Sequence, residues 1–175
     1  AGKDIRKATN NDENWKLFNF QGGASIKTGH IYEKFVGRHR EVFQAHPEYY
    51  ALVKGKRTSR KLCISNPDLR KLFVDFHMNS LQANPQAESV SAEPSDGGGW
   101  CECENCVKLG TPSTRAVFLA NEVAKAVTAK YPDKKVGMYA YNRHCTPPEI
   151  DVHPNVVVNI ATGFIKGGLT VNDII

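Results

Sequence analysis

Ser89-Val90-Ser91-Ala92-Glu93-Pro94-Ser95-Asp96-Gly97-Gly98-Gly99-Trp100-Cys101-Glu102-Cys103-Glu104-Asn105-Cys106 is the stretch from which the rest of the chain can be ordered. Its first five residues alternate, with Ser89, Ser91 and Glu93 on one face and Val90 and Ala92 on the other. That period of two predicts a short strand. The strand ends in a carboxylate and runs into a glycine triplet, an indole and three cysteines at C-x-C-x-x-C spacing. A carboxylate at a strand end, above a loop this constrained, reads as a built site.

Helix signals stand on both sides of it. Upstream, Ser65-Asn66-Pro67-Asp68 supplies a capping oxygen with proline at the first helical position, and Leu69, Leu72, Phe73 and Phe76 repeat on one face to about Ala83. Downstream, a second helix opens near Thr111-Pro112-Ser113, buries Val117, Ala120, Val123, Ala124 and Val127, and ends before Tyr131-Pro132-Asp133. Lys135–Tyr141 then reads as a strand. Asn155–Ala161 is almost continuously apolar, as suits a parallel strand covered on both faces.

Nearer the start, Trp15–Phe20 reads as a strand closed by the loop Gln21-Gly22-Gly23. Tyr49–Val53 and Lys61–Ile64 form a hairpin-like pair around the charged turn Lys54–Arg57, an ornament on the alternating framework. Strand and helix in alternation, joined by right-handed crossovers, predict an α/β fold, read as one domain over residues 1–175. In such folds function collects in loops after the C-terminal strand ends. Cys63, Glu93 to Cys106, and Tyr141 to Cys145 are therefore expected at one rim.

Composition bounds the function. With 175 residues, 41% hydrophobic and 23% charged, the chain has the balance of a soluble globular domain. No run approaches the roughly 18 apolar residues of a membrane span, and Ala1-Gly2-Lys3-Asp4 does not read as a signal peptide. The start without Met reads as a processed, trimmed or partial chain. The net charge is +5 and the pI about 8.9. Between Lys34 and Lys71 ten basic residues face only Glu41, Glu48 and Asp68, a patch that would attract an acidic glycan or nucleic acid.

Five cysteines leave two accounts open: four thiolates around a structural zinc, or two disulfides with one thiol over, drawn from Cys63, Cys101, Cys103, Cys106 and Cys145. Glu93 and Asp96 are candidates for paired carboxylate work, one to protonate a leaving oxygen and one to stabilise or attack an oxocarbenium-like centre. Trp100, Tyr139 and Tyr141 would stack on sugar rings, and His30 would offer a hydrogen bond to substrate. His46, before Pro47, is expected to fix a turn, and His144 beside Cys145 is a weak metal candidate. No nucleophile elbow, P-loop, dinucleotide fingerprint or H-E-x-x-H occurs, so serine hydrolase, NTPase and zincin readings have no support.

The chain resembles a bacterial family catalogued as domain of unknown function 4838, found near glycoside hydrolases. The carrying motifs are His46-Pro47-Glu48-Tyr49-Tyr50-Ala51-Leu52 with Gly55-Lys56-Arg57, and Leu62-Cys63-Ile64-Ser65-Asn66-Pro67. They continue with Glu93-Pro94-Ser95-Asp96-Gly97, Cys101 to Cys106, and Tyr131-Pro132-Asp133-Lys134-Lys135. The resemblance implies a secreted, periplasmic or envelope protein built on a glycosidase-type (β/α) barrel, here a portion with a hairpin insertion and a cysteine-rich loop. It implies an oligosaccharide or polysaccharide at the barrel mouth, with Glu93 and Asp96 in the site. A full barrel needs about 250 residues, so the chain is expected to be a fragment of a larger one. The alternative from another class is a cysteine-braced basic nucleic-acid-binding module. Against it, the aromatics do not interleave with the basic residues.

Overall fold

The computed structural model describes residues 26–161, and the strand expected at Trp15–Phe20 lies outside them. Within the described residues the fold is mixed α/β. Two short helices, α1 (Tyr32–Arg38) and α2 (Arg40–Ala45), lead through a 3-10 turn into the hairpin β1 (Tyr50–Val53) and β2 (Lys56–Leu62). Then come α3 (Pro67–Ala83), β3 (Ser89–Ser91), α4 (Glu104–Lys108), α5 (Pro112–Lys130), β4 (Lys135–Ala140) and β5 (Val156–Ile160).

Both long helices start as their sequences require. The Asn66 side chain accepts from Leu69 N at 3.0 Å and Thr111 from Thr114 N at 3.2 Å, each followed by proline. Such caps contribute about 1 kcal/mol each. The α3 face Leu69, Phe73, Phe76 and Leu81 is buried, and Phe35 and Phe43 join it in edge-on ring pairs 5.0–5.6 Å apart. On α5 all five expected core residues from Val117 to Val127 are buried.

β3, β4 and β5 form a parallel sheet in that order, in register from Ser89 with Lys135 and from Val136 with Val156. The hairpin is a separate antiparallel sheet. Neither sheet closes into a barrel among the described residues.

Four details differ from the sequence expectations. β2 begins at Lys56, because Lys54 and Gly55 both take positive φ (49° and 75°) and close a two-residue turn. That twist suits a hairpin, and Gly55 accepts it without steric cost. Second, β5 is not covered along its whole length: Val156 is buried, while Val158 and Ile160 on the same face are 37% and 68% exposed. Third, Ser89, Ser91 and Glu93 do share a face, but they line no open mouth. The segment 26–31 lies across them, with Lys27 N on Ser89 Oγ at 2.9 Å and Ser91 Oγ donating to Gly29 O at 2.6 Å. A Cβ at Gly137 would collide with the Lys27 carbonyl, so glycine there permits this close approach. The fourth is the hairpin, whose tip belongs to the site described next.

Candidate functional site

The C-terminal ends of β3 and β4 carry a layered polar site. Its lower layer is Glu93, which is fully buried. Its Oε2 accepts from Tyr139 N at 2.6 Å, and its Oε1 lies 3.0 Å from His144 Nε2. The Glu93 carbonyl accepts from Ile31 N, which brings His30 to the same rim. A carboxylate with both oxygens engaged, and none of it exposed, organises its surroundings.

The upper layer is open. Asp96 is exposed and accepts from Tyr141 Oη at 2.8 Å and from Gly97 N at 2.6 Å. The bond from Tyr141, then that from Gly97, holds its carboxyl below the usual aspartate range, and the same contact raises Tyr141. Asp96 is thus held ionised, suited to accept hydrogen bonds or stabilise positive charge. His30 donates through Nδ1 to Pro94 O at 2.6 Å, and its ring sits 6.0 Å from Tyr141. Tyr139 lies 6.4 Å from Tyr141, and His144 bridges Tyr141 (6.0 Å) to Trp100 (5.6 Å). Trp100, Tyr139, Tyr141 and His30 therefore converge on the rim beside Asp96.

Lys61 is a participant that the sequence reading missed by counting it only in the basic patch between Lys34 and Lys71. It is 1% exposed, its Nζ donates to Ser95 O and lies 3.5 Å from Asp96 O, and it sits 5.3 Å over the Trp100 ring. Burial pushes its ammonium down to about 8, against an opposing pull from Glu93. The available signal was its position directly before the apolar run Leu62-Cys63-Ile64. Other members of the patch are also engaged: Arg57 binds the Glu48 and Tyr50 carbonyls, and Arg70 pairs with Glu122 at 2.9 Å. His46 bonds Glu48 at 2.9 Å, as a turn residue should.

Beside this rim Cys63, Cys101, Cys103 and Cys106 come together, with all four sulfurs within 4.8 Å of one another. Cys63 lies 3.7 Å from Cys103 and 3.9 Å from Cys106. Cys103 caps α4 with its own sulfur, which accepts from Cys106 N at 3.4 Å. Leu52 N reaches Cys101 Sγ at 3.3 Å, and Ser65 N reaches Cys106 Sγ at 3.4 Å. As thiols the four share charge unevenly. S–H donation from Cys101, then Cys106, draws Cys63 far down, while contacts with Cys101 and Cys63 push Cys106 far up. Four thiolates at this spacing need a cation among them, and the group could hold a metal ion.

Cys145 stays outside the group and is exposed, and His144 faces Glu93 and not the sulfurs. The hairpin is no ornament. Besides the Leu52 contact, Glu102 N donates to Leu52 O at 2.7 Å and Lys54 N to Glu102 Oε2 at 2.6 Å.

No curated protein and no solved structure matches the chain. The family described as a domain of unknown function, DUF4838, matches residues 4–173, and the chain belongs to it.

Proposed function

We propose that the protein is glycoside-hydrolase-like and that the rim around Asp96 is a glycan-binding site. The observation that carries this is the meeting of an exposed, ionised carboxylate with Trp100, Tyr141, Tyr139 and His30 at the C-terminal edge of a parallel sheet. Aromatic faces pack on the apolar side of a sugar ring, and a carboxylate accepts from its hydroxyls. Glu93 supports the rim from below. Catalysis would require it, or another carboxyl, to reach a ligand. The open parallel sheet suits a portion of a (β/α) barrel. The family resemblance carries the expectation of a secreted, periplasmic or envelope location.

Zinc is the ion we assign to the four cysteines. Zinc–sulfur bonds of about 2.3 Å give a tetrahedron with sulfur–sulfur edges of about 3.8 Å. The 3.7 and 3.9 Å pairs fit that edge, and backbone N–H groups already face three of the sulfurs. Four protein ligands close the site, so its role is structural bracing of the loop that bears Trp100.

Binding to an array of neutral, N-acetylated and uronic oligosaccharides beside RNA and DNA tests the first reading, with Asp96→Asn in parallel. Selective glycan binding weakened by the substitution supports it. Salt-sensitive binding to every polyanion, indifferent to Asp96, would sink it. Metal analysis of the purified protein tests the second: one zinc per chain is expected, with thiol–cobalt charge-transfer bands after cobalt exchange.

A further inference from the structure

Next to the rim a cleft of about 410 Å³ opens between the glycine loop and the hairpin tip. Gly98, Gly99 and Trp100 form one wall, and Val53, Val107 and Pro112 add apolar surface. Val107 is 56% exposed there. The cleft's charges are Lys54, Arg115, Arg143 and Glu102. Arg115 is spent: it is buried and donates to Gly110 O and Cys101 O, both at 2.7 Å. Glu102 is tied to the hairpin tip through Lys54 N. Lys54 and Arg143 are exposed, and among the described residues their side chains make no hydrogen bond or ion pair. Arg60 flanks the same loop, its guanidinium against Gly97.

We infer that this cleft is a subsite for an anionic substituent of the glycan, a carboxylate or a sulfate ester, held by Arg143 and Lys54 while the ring packs on Trp100. The inference rests on the glycan reading of the rim and names the class of sugar. Arg143 sits in the turn between Tyr141 and His144, the same turn that holds Asp96 and Trp100, so rim and cleft are continuous. A guanidinium matches the two-oxygen edge of a carboxylate or sulfate, and glycines beside it let a ligand approach the backbone. The rival role for the two cations is to balance the negative charge of a four-thiolate zinc centre at Cys101. Arg115 already lies on that side, bonded to the Cys101 carbonyl.

The test is calorimetric titration of the zinc-loaded protein with an oligogalacturonide, its methyl-esterified counterpart and a sulfated galactan oligosaccharide. Wild type, Arg143→Gln, Lys54→Gln and the remote control Lys125→Gln are compared. The free acid or the sulfate is expected to bind at least tenfold tighter than the ester. Arg143→Gln should remove most of that preference and leave ester affinity and zinc content unchanged, since among the described residues its side chain makes no hydrogen bond or ion pair. Whichever anion keeps the preference identifies the source. Equal affinity for acid and ester overturns the subsite alone. Lost zinc with an intact preference does the same and assigns the cations to the metal centre. No binding of any oligosaccharide removes the glycan reading with it.

Discussion

Truncation of Glu93 is the sharpest probe of how the rim is held. In Glu93→Ala, Tyr139 N and His144 Nε2 lose acceptors at 2.6 and 3.0 Å, and the imidazole stays buried at 4% exposure with nothing to face. Hydrogen bonds to a buried charged group contribute roughly 1.5–3 kcal/mol each. The two contacts share one carboxylate, so the expected loss is about 3–5 kcal/mol, read as a lower urea midpoint at unchanged slope. For a chain of this size, each kcal/mol lowers Tm by about 2–4 °C. Glu93→Gln keeps the shape and an acceptor for Tyr139 N but turns an N–H group toward His144 Nε2, which then has to accept through its other tautomer, and should cost about 1–2 kcal/mol. Glycan affinity should survive Gln and fall in Ala, because the 141–144 turn shifts. An Ala variant within about 1 kcal/mol of wild type would refute the view that this carboxylate holds the rim together.

Three further outcomes follow from the same structure. The lowered pKa of Asp96 means its loop-ordering bonds are present above the ordinary carboxylate range and are lost as pH falls through the folded value. Tyr141→Phe removes the larger cause, so the acid limb of a binding profile, or the Asp96 carboxyl shift by NMR, should move to higher pH; an unmoved limb would exclude Asp96 as the titrating group. Gly137→Ala places a methyl against the Lys27 carbonyl and should cost about 1–3 kcal/mol in chemical denaturation, whereas a neutral result would mean the 26–31 segment does not lie across β4. Asn66→Ala should cost about 1 kcal/mol through the lost cap of α3, with glycan binding and zinc content unaffected.

Local signals were enough to read the framework. The caps at Asn66 and Thr111, each with its following proline, and the apolar spacing of α3 and α5 are properties of adjacent residues. The alternation at Ser89–Glu93 likewise named a strand, and the apolar run at Asn155–Ala161 a parallel one, before their partners were known. Asp96, Trp100, Tyr139, Tyr141 and His30 could be proposed as one site because parallel strands deliver their C-terminal loops to one edge.

Burial and pairing were different, because they depend on what else arrives in space. Only the tertiary structure decided that Glu93 lies under the rim and Asp96 on it, three residues apart but in opposite environments. Lys61 is buried because β2 carries it beneath the Ser95–Asp96 turn, a contact between residues more than thirty apart that no local pattern encodes. The cysteines show both halves. Spacing identified a cluster at Cys101, Cys103 and Cys106, but it was the end of the hairpin that brought Cys63 to them and left Cys145 in solvent. Local sequence sets backbone conformation through short-range sterics and capping, while which groups lose water is settled by packing between distant segments.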